Sequence, residues 1–223
     1  MPVLTVLRNS VGPSDPGSGL RATDRRDAPP HARSSASTRY RASDGRTLIG
    51  FSTLVLGALA LGFVFTGTIT GNEVVPILIT SGIGLLAAAA WYAAVGQYSY
   101  SLVFVAFAGF NGTYAFLQLG VTNNWYGIPI QDLTNVVSVY VAIWLMIFVL
   151  ITLAVLASSA WLLSLIMIAG NASLGFVLAA NLIGSITLLH WASAAAFLDA
   201  LLGTASVVGI IRGWRKRAQL HRQ

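Results

Sequence analysis

Between Leu48 and Ile211 the apolar positions gather into six runs, at 48–66, 74–96, 101–119, 136–156, 161–180 and 190–211. Each holds roughly 19 or more residues, enough for an α-helix to cross ~30 Å of hydrocarbon at 1.5 Å per residue. None shows the charged stripe that a helix on the surface of a soluble protein needs. The breaks between runs fall at Thr68–Glu73, Gln97–Tyr100, Gly120–Asn135, Ala157–Ala160 and Asn181–Thr187. All are tight connections except the third, where Thr122-Asn123-Asn124-Trp125-Tyr126-Gly127-Ile128-Pro129 predicts an interfacial loop with aromatic anchors. The pattern predicts an all-α membrane protein, a six-transmembrane-helix bundle.

The charges sharpen this picture. No lysine or arginine occurs from Thr47 to Ile211; eight arginines precede that window and five basic residues follow it. Inside it the formal charges are Glu73, Asp132 and Asp199 alone. Cationic flanks determine topology, so both termini are expected in the cytoplasm, with Glu73 and Asp132 on the far side of the cell (plasma) membrane. Residues 1–46, rich in Pro, Ser and Arg, read as a disordered basic cytoplasmic tail that anionic lipid would attract. Residues 47–213 form the transmembrane domain, and 214–223 a basic cytoplasmic C-terminal tail. The apolar runs begin too late for a secretory signal. The pI near 10.2 would suggest nucleic acid in a soluble chain, but here the basic residues flank a membrane domain, and no nucleic-acid partner is expected.

Small residues line one side of most runs: Gly57/Gly62, Gly82/Gly84 with Ala87–Ala90, Gly109/Gly112, Gly170/Gly175 and Ala192–Ala196. Helices in lipid associate through such faces, since burying apolar surface gains nothing there. A compact bundle that also assembles with copies of itself is the expectation. Two halves of three helices would be inverted relative to each other, as in many transporters.

Polar groups in hydrocarbon are costly and tend to face the protein interior or a pathway. Asn111, Asn171 and Asp199 lie near mid-span. Asp199 is nine residues past His190 and thirteen before Arg212. Desolvation disfavours the charged form of a carboxyl sealed there, so it is expected to carry a proton at neutral pH. Two readings stand: a proton-linked or pore-lining acid, or hydrogen-bonding glue between helices or subunits. For the asparagines, helix–helix hydrogen bonding is the plainer reading. Phe104, Phe107, Phe110 and Tyr114 share one helical stripe, either as packing or as an apolar constriction that gates by dewetting. An enzyme is not expected: the chain has no cysteine and three scattered histidines, which excludes thiolate chemistry and offers no metal or cofactor site.

The segment Ala180-Asn181-Leu182-Ile183-Gly184-Ser185-Ile186-Thr187-Leu188-Leu189-His190 resembles the acetate uptake transporter (succinate–acetate permease) family, whose helix 5–6 segment reads Gly-Asn-x-x-Gly-x-x-x-x-x-His. Val139-Tyr140-Val141-Ala142-Ile143-Trp144 is similar to that family's Val-Tyr-x-x-x-Trp, and Phe107, Phe110 and Tyr114 to its helix 3 aromatics. The family's Asn-Pro-Ala-Pro-Leu-Gly signature is replaced here by Ala42–Thr47, and Asp199 has no counterpart in it. The resemblance implies a channel or proton-coupled transporter for acetate or a similar short monocarboxylate, assembled as a ring-shaped homohexamer. It implies a constriction at Phe51 and Phe110, with helix 5 around Met167–Gly170 opposite; Phe107, Tyr114, Asn111, Asn171, Asn181 and His190 are the further candidates for the substrate pathway. The alternatives are a urea/amide-type neutral-solute channel and a non-transporting accessory subunit of a membrane complex.

Overall fold

The computed structural model describes residues 30–69, 71–158 and 160–220. Helix α1 spans Pro30–Phe65, α2 Gly71–Ala94, α3 Tyr98–Thr122, α4 Leu133–Leu156, α5 Trp161–Ile183 and α6 Ile186–Leu220; a single 3-10 turn, Ile130–Asp132, leads into α4. Six segments are long and apolar enough to cross a membrane, one in each helix, those of α1 and α6 being Gly45–Phe65 and Ile186–Arg215. Four of the expected runs lie within observed helices, while 48–66 passes the end of α1 by one residue and 74–96 passes the end of α2 by two. Among the described residues there is no strand.

The flanks depart from expectation. Helix α1 already begins at Pro30 and α6 continues to Leu220, so residues 30–46 and 214–220, expected as tails, have helical backbone. Extending an existing helix costs far less than nucleating one, so a membrane helix carries its helicity into a weakly helical flank. Proline suits that starting position, because its missing N–H would be unpaired there anyway. Residues 1–29, most of the expected disordered tail, lie outside the described residues.

Short turns reverse the chain between helices. Gly184, at φ 72°, ends α5 in the left-handed conformation, with its N–H donating to Ala180 O at 2.8 Å. The longer α3–α4 loop folds back on α3: the Tyr126 ring occupies the place where a Cβ on Gly120 would stand. From Arg41 onward the chain is one compact unit. Helix α1 packs on α2 and α3 through Gly50, whose Cβ would meet Ala88 and Phe104, and on α6 through Gly62, whose Cβ would meet Phe197. Helix α4 is the least enclosed, with Val139, Ile143, Met146, Leu150 and Leu153 exposed. In a bilayer such a row meets lipid tails or another subunit.

Candidate functional site

Two asparagines tie helices together at the depth where unpaired polar groups cost most. Asn111 on α3 donates through Nδ2 to Ser81 Oγ on α2 at 3.0 Å, and the Ser81 hydroxyl donates to the Thr53 carbonyl on α1 at 2.7 Å. Asn171 on α5 donates to Thr152 Oγ1 on α4 at 2.6 Å and to the Met167 carbonyl at 2.8 Å. Both therefore take part in interhelical hydrogen bonds. Each nonetheless leaves its amide oxygen buried and without a hydrogen-bond partner.

A small cavity lies where five helices meet. Its walls are Ala58, Leu61 and Phe65 of α1, Phe107 and Phe110 of α3, Phe148 of α4, Gly170, Ser173 and Leu174 of α5, and Ala196 and Asp199 of α6. The open space is ≈ 20 Å³, room for about one water. Phe148 stands edge-on to Phe107, with ring centres 5.0 Å apart, and to Phe110 at 6.0 Å. Gly170 lets the rings close on α5, since a Cβ there would come within 3.3 Å of both Phe107 and Phe148. Asp199 is 3% exposed, and its Oδ1 is buried without a hydrogen-bond partner. The nearby Ser173 hydroxyl donates elsewhere, to the Ala192 carbonyl at 2.9 Å. The site is thus a carboxyl that lines, together with three phenyl rings, a space with room for about one water.

An aromatic slab continues from this cavity between α3 and α4. Phe110 stacks on Tyr114 (5.6 Å, 12°) and lies 6.0 Å from Tyr140 and 5.8 Å from Trp144. The Tyr140 hydroxyl donates to the Phe110 carbonyl at 3.1 Å and also pairs with Thr113 Oγ1 at 2.8 Å. Of the sequence candidates, Phe107, Phe110 and Asp199 share the cavity, and Tyr114 adjoins it through its stack on Phe110.

Phe51 does not join them. Its ring neighbours are Phe104 at 5.3 Å and Tyr100 at 6.4 Å, in a cluster completed by Tyr92 stacked on Tyr100 at 4.9 Å. The expected Phe51–Phe110 pair is therefore corrected to two separate clusters. Phe51 packs against Phe104, which precedes Phe110 by six residues along α3. At 1.5 Å per residue the two sit at different depths. His190 is exposed near the start of α6, and Asn181 is half-buried near the end of α5 with its Nδ2 unpartnered; neither lines the cavity.

Phe148 is a wall of the cavity that sequence reasoning did not single out. Its signal lies in the spacing of Tyr140, Trp144 and Phe148, an i, i+4, i+8 stripe on α4 that mirrors the stripe on α3. Among the described residues no three of His, Asp and Glu come together as a metal site would require. No known family profile, no curated protein and no solved structure matches the chain.

Proposed function

We propose that this membrane protein is a channel or proton-coupled transporter for a small solute, and that the solute is acetate or a similar short monocarboxylate. The observation that carries this reading is the cavity at Asp199: an acid with an unpartnered oxygen, buried at mid-span in a space lined by Phe107, Phe110 and Phe148. Buried carboxyls without ion-pair partners are costly and tend to be kept in membrane proteins for pathways and relays. Since no lysine or arginine stands between Thr47 and Ile211, an anion would meet no compensating charge. The solute therefore crosses as the neutral acid, exchanging a hydrogen bond with Asp199 while the rings exclude water and ions. Acetate as cargo rests on the α5–α6 motif. So does assembly as a homohexamer, to which the exposed apolar face of α4 lends an interaction surface. The cationic flanks support a plasma-membrane protein with both termini in the cytoplasm.

One observation favours a second reading, a neutral-solute channel of the urea/amide type. The buried, unpartnered amide oxygens of Asn111 and Asn171 would accept hydrogen bonds from an N–H solute. Flux of radiolabelled acetate and urea into proteoliposomes separates the two. Acetate uptake that rises as external pH falls supports the first, pH-independent urea flux supports the second, and flux of neither leaves an accessory subunit.

A further inference from the structure

Away from the cavity, a cleft runs between α1 and α2 on the outer surface of the bundle. Arg46, Ile49, Ala87, Ala90, Trp91 and Ala94 line it. Its position in the membrane follows from the helix ends. Arg46 stands two residues before the apolar run that begins at Leu48, and Trp91 is three residues from the end of α2 at Ala94. The mouth of the cleft therefore lies at headgroup level, and its floor descends among acyl chains. The floor is apolar and shallow because Gly50 lets α1 close on Ala88: a Cβ on Gly50 would stand 2.8 Å from that of Ala88.

The mouth is held in shape by two contacts on adjacent residues. The Tyr92 hydroxyl donates to Thr47 Oγ1 at 2.7 Å on the inner side. On the outer side the Arg46 guanidinium carbon stands 3.6 Å over the Trp91 ring centre. At that distance the cation is attracted to the indole face, which holds Arg46 beside Trp91 at the mouth. A guanidinium carries a planar fork of N–H donors that fits two oxygens of a phosphate. Arg46 is also the last cation before a stretch of the chain without any.

We infer that this cleft is a binding site for an anionic phospholipid, whose phosphate pairs with Arg46 while one acyl chain lies along Ala90, Ala87 and Ile49. The charge of Arg46 selects the headgroup, and the exposed alanine methyls leave room for a chain that a larger side chain would fill. This site is independent of any solute path.

The test is native mass spectrometry of the full chain in mild detergent, titrated with phosphatidylglycerol or with phosphatidylcholine of the same chains. The wild type is expected to hold phosphatidylglycerol preferentially. Arg46→Ala weakens that adduct at least about tenfold, the loss expected for a charge-assisted hydrogen bond. Ala90→Leu keeps the charge, sits on an exposed helical position, and weakens the adduct by obstructing the chain. Arg215→Ala, an exposed cation that does not line the cleft, leaves the adduct unchanged. Equal retention of both lipids, or an Arg46→Ala adduct as strong as wild type, overturns the site. Loss of oligomers in Ala90→Leu with lipid binding intact also overturns it, since the cleft would then be occupied by a second copy of the chain.

Discussion

Gly57 on α1 lies directly under the Asn111 side chain of α3: a Cβ on Gly57 would collide with Asn111 Nδ2 and stand 2.5 Å from Ser81 Oγ. The hydrogen-bonded chain through Asn111, Ser81 and Thr53 therefore depends on a missing side chain, and one added methyl would displace it. Gly57→Ala is expected to destabilise the protein by about 1–3 kcal/mol, as overpacking does in a close-fitted interior. Thermal unfolding in detergent checks this. A Gly57→Ala protein as stable as wild type would show that α1 slides aside freely.

The phenyl lining makes a transport prediction. Phe110→Ala removes the ring that meets Tyr114, Tyr140, Trp144 and Phe148 and is expected to raise solute leak in proteoliposomes. Its packing cost is about 3–5 kcal/mol, so flux is compared per folded protein. Phe110→Leu, which keeps an apolar plug, should leak less than the alanine variant. Equal flux in wild type and both variants would reduce these rings to ordinary packing.

Asp199 separates relay from glue. Asp199→Asn keeps the shape of the side chain but cannot exchange a proton, and is expected to abolish the pH dependence of uptake while leaving assembly intact. Asp199→Leu removes hydrogen bonding as well, and would weaken assembly by about 1 kcal/mol for each hydrogen bond broken. Uptake across a pH series, with oligomer stability followed in parallel, tests both. An unchanged pH profile in the asparagine variant ends the relay.

For Asn171 the expected effect is structural. Asn171→Leu breaks the bond to Thr152 and is expected to cost about 1 kcal/mol, within the range of interhelical hydrogen bonds in membranes. The double substitution with Thr152→Val should cost less than the sum of the two single changes, because they share one bond. Strict additivity would show that the two side chains are not energetically coupled.

Topology is tested most directly. The chain has no cysteine, so one introduced at position 222 reports alone. With both termini in the cytoplasm, an impermeant thiol reagent should label it only after cells are opened. Labelling of intact cells would invert the orientation.

Much of the architecture was legible from particular residues. The cation-free window from Thr47 to Ile211 and the breaks at Thr68–Glu73, Gln97–Tyr100 and Ala157–Ala160 sufficed to place the spans, because crossing hydrocarbon is a requirement of length and composition within each segment. The mid-span position of Asp199 was equally plain, since depth along a helix is counted residue by residue. The start of α1 was not legible: Pro30 and the polar residues after it carry no apolar pattern, and their helicity continues from the span that follows.

The sequence by itself thus determined how many helices there are, how deep each polar group lies, and which aromatics share a stripe. Only the tertiary structure decided which stripes face each other. It brought Phe148 of α4 against Phe107 and Phe110, sent Phe51 to Phe104 and Tyr100 instead, and turned Asp199 into the cavity they line. The reason is physical. In water a helix buries its apolar face, so the sequence reveals which side turns inward; in lipid every side of these helices is apolar. Rotation about each axis is then set by close packing at glycines such as Gly57 and Gly170 and by a few buried hydrogen bonds, which are properties of helix pairs and not of any one segment.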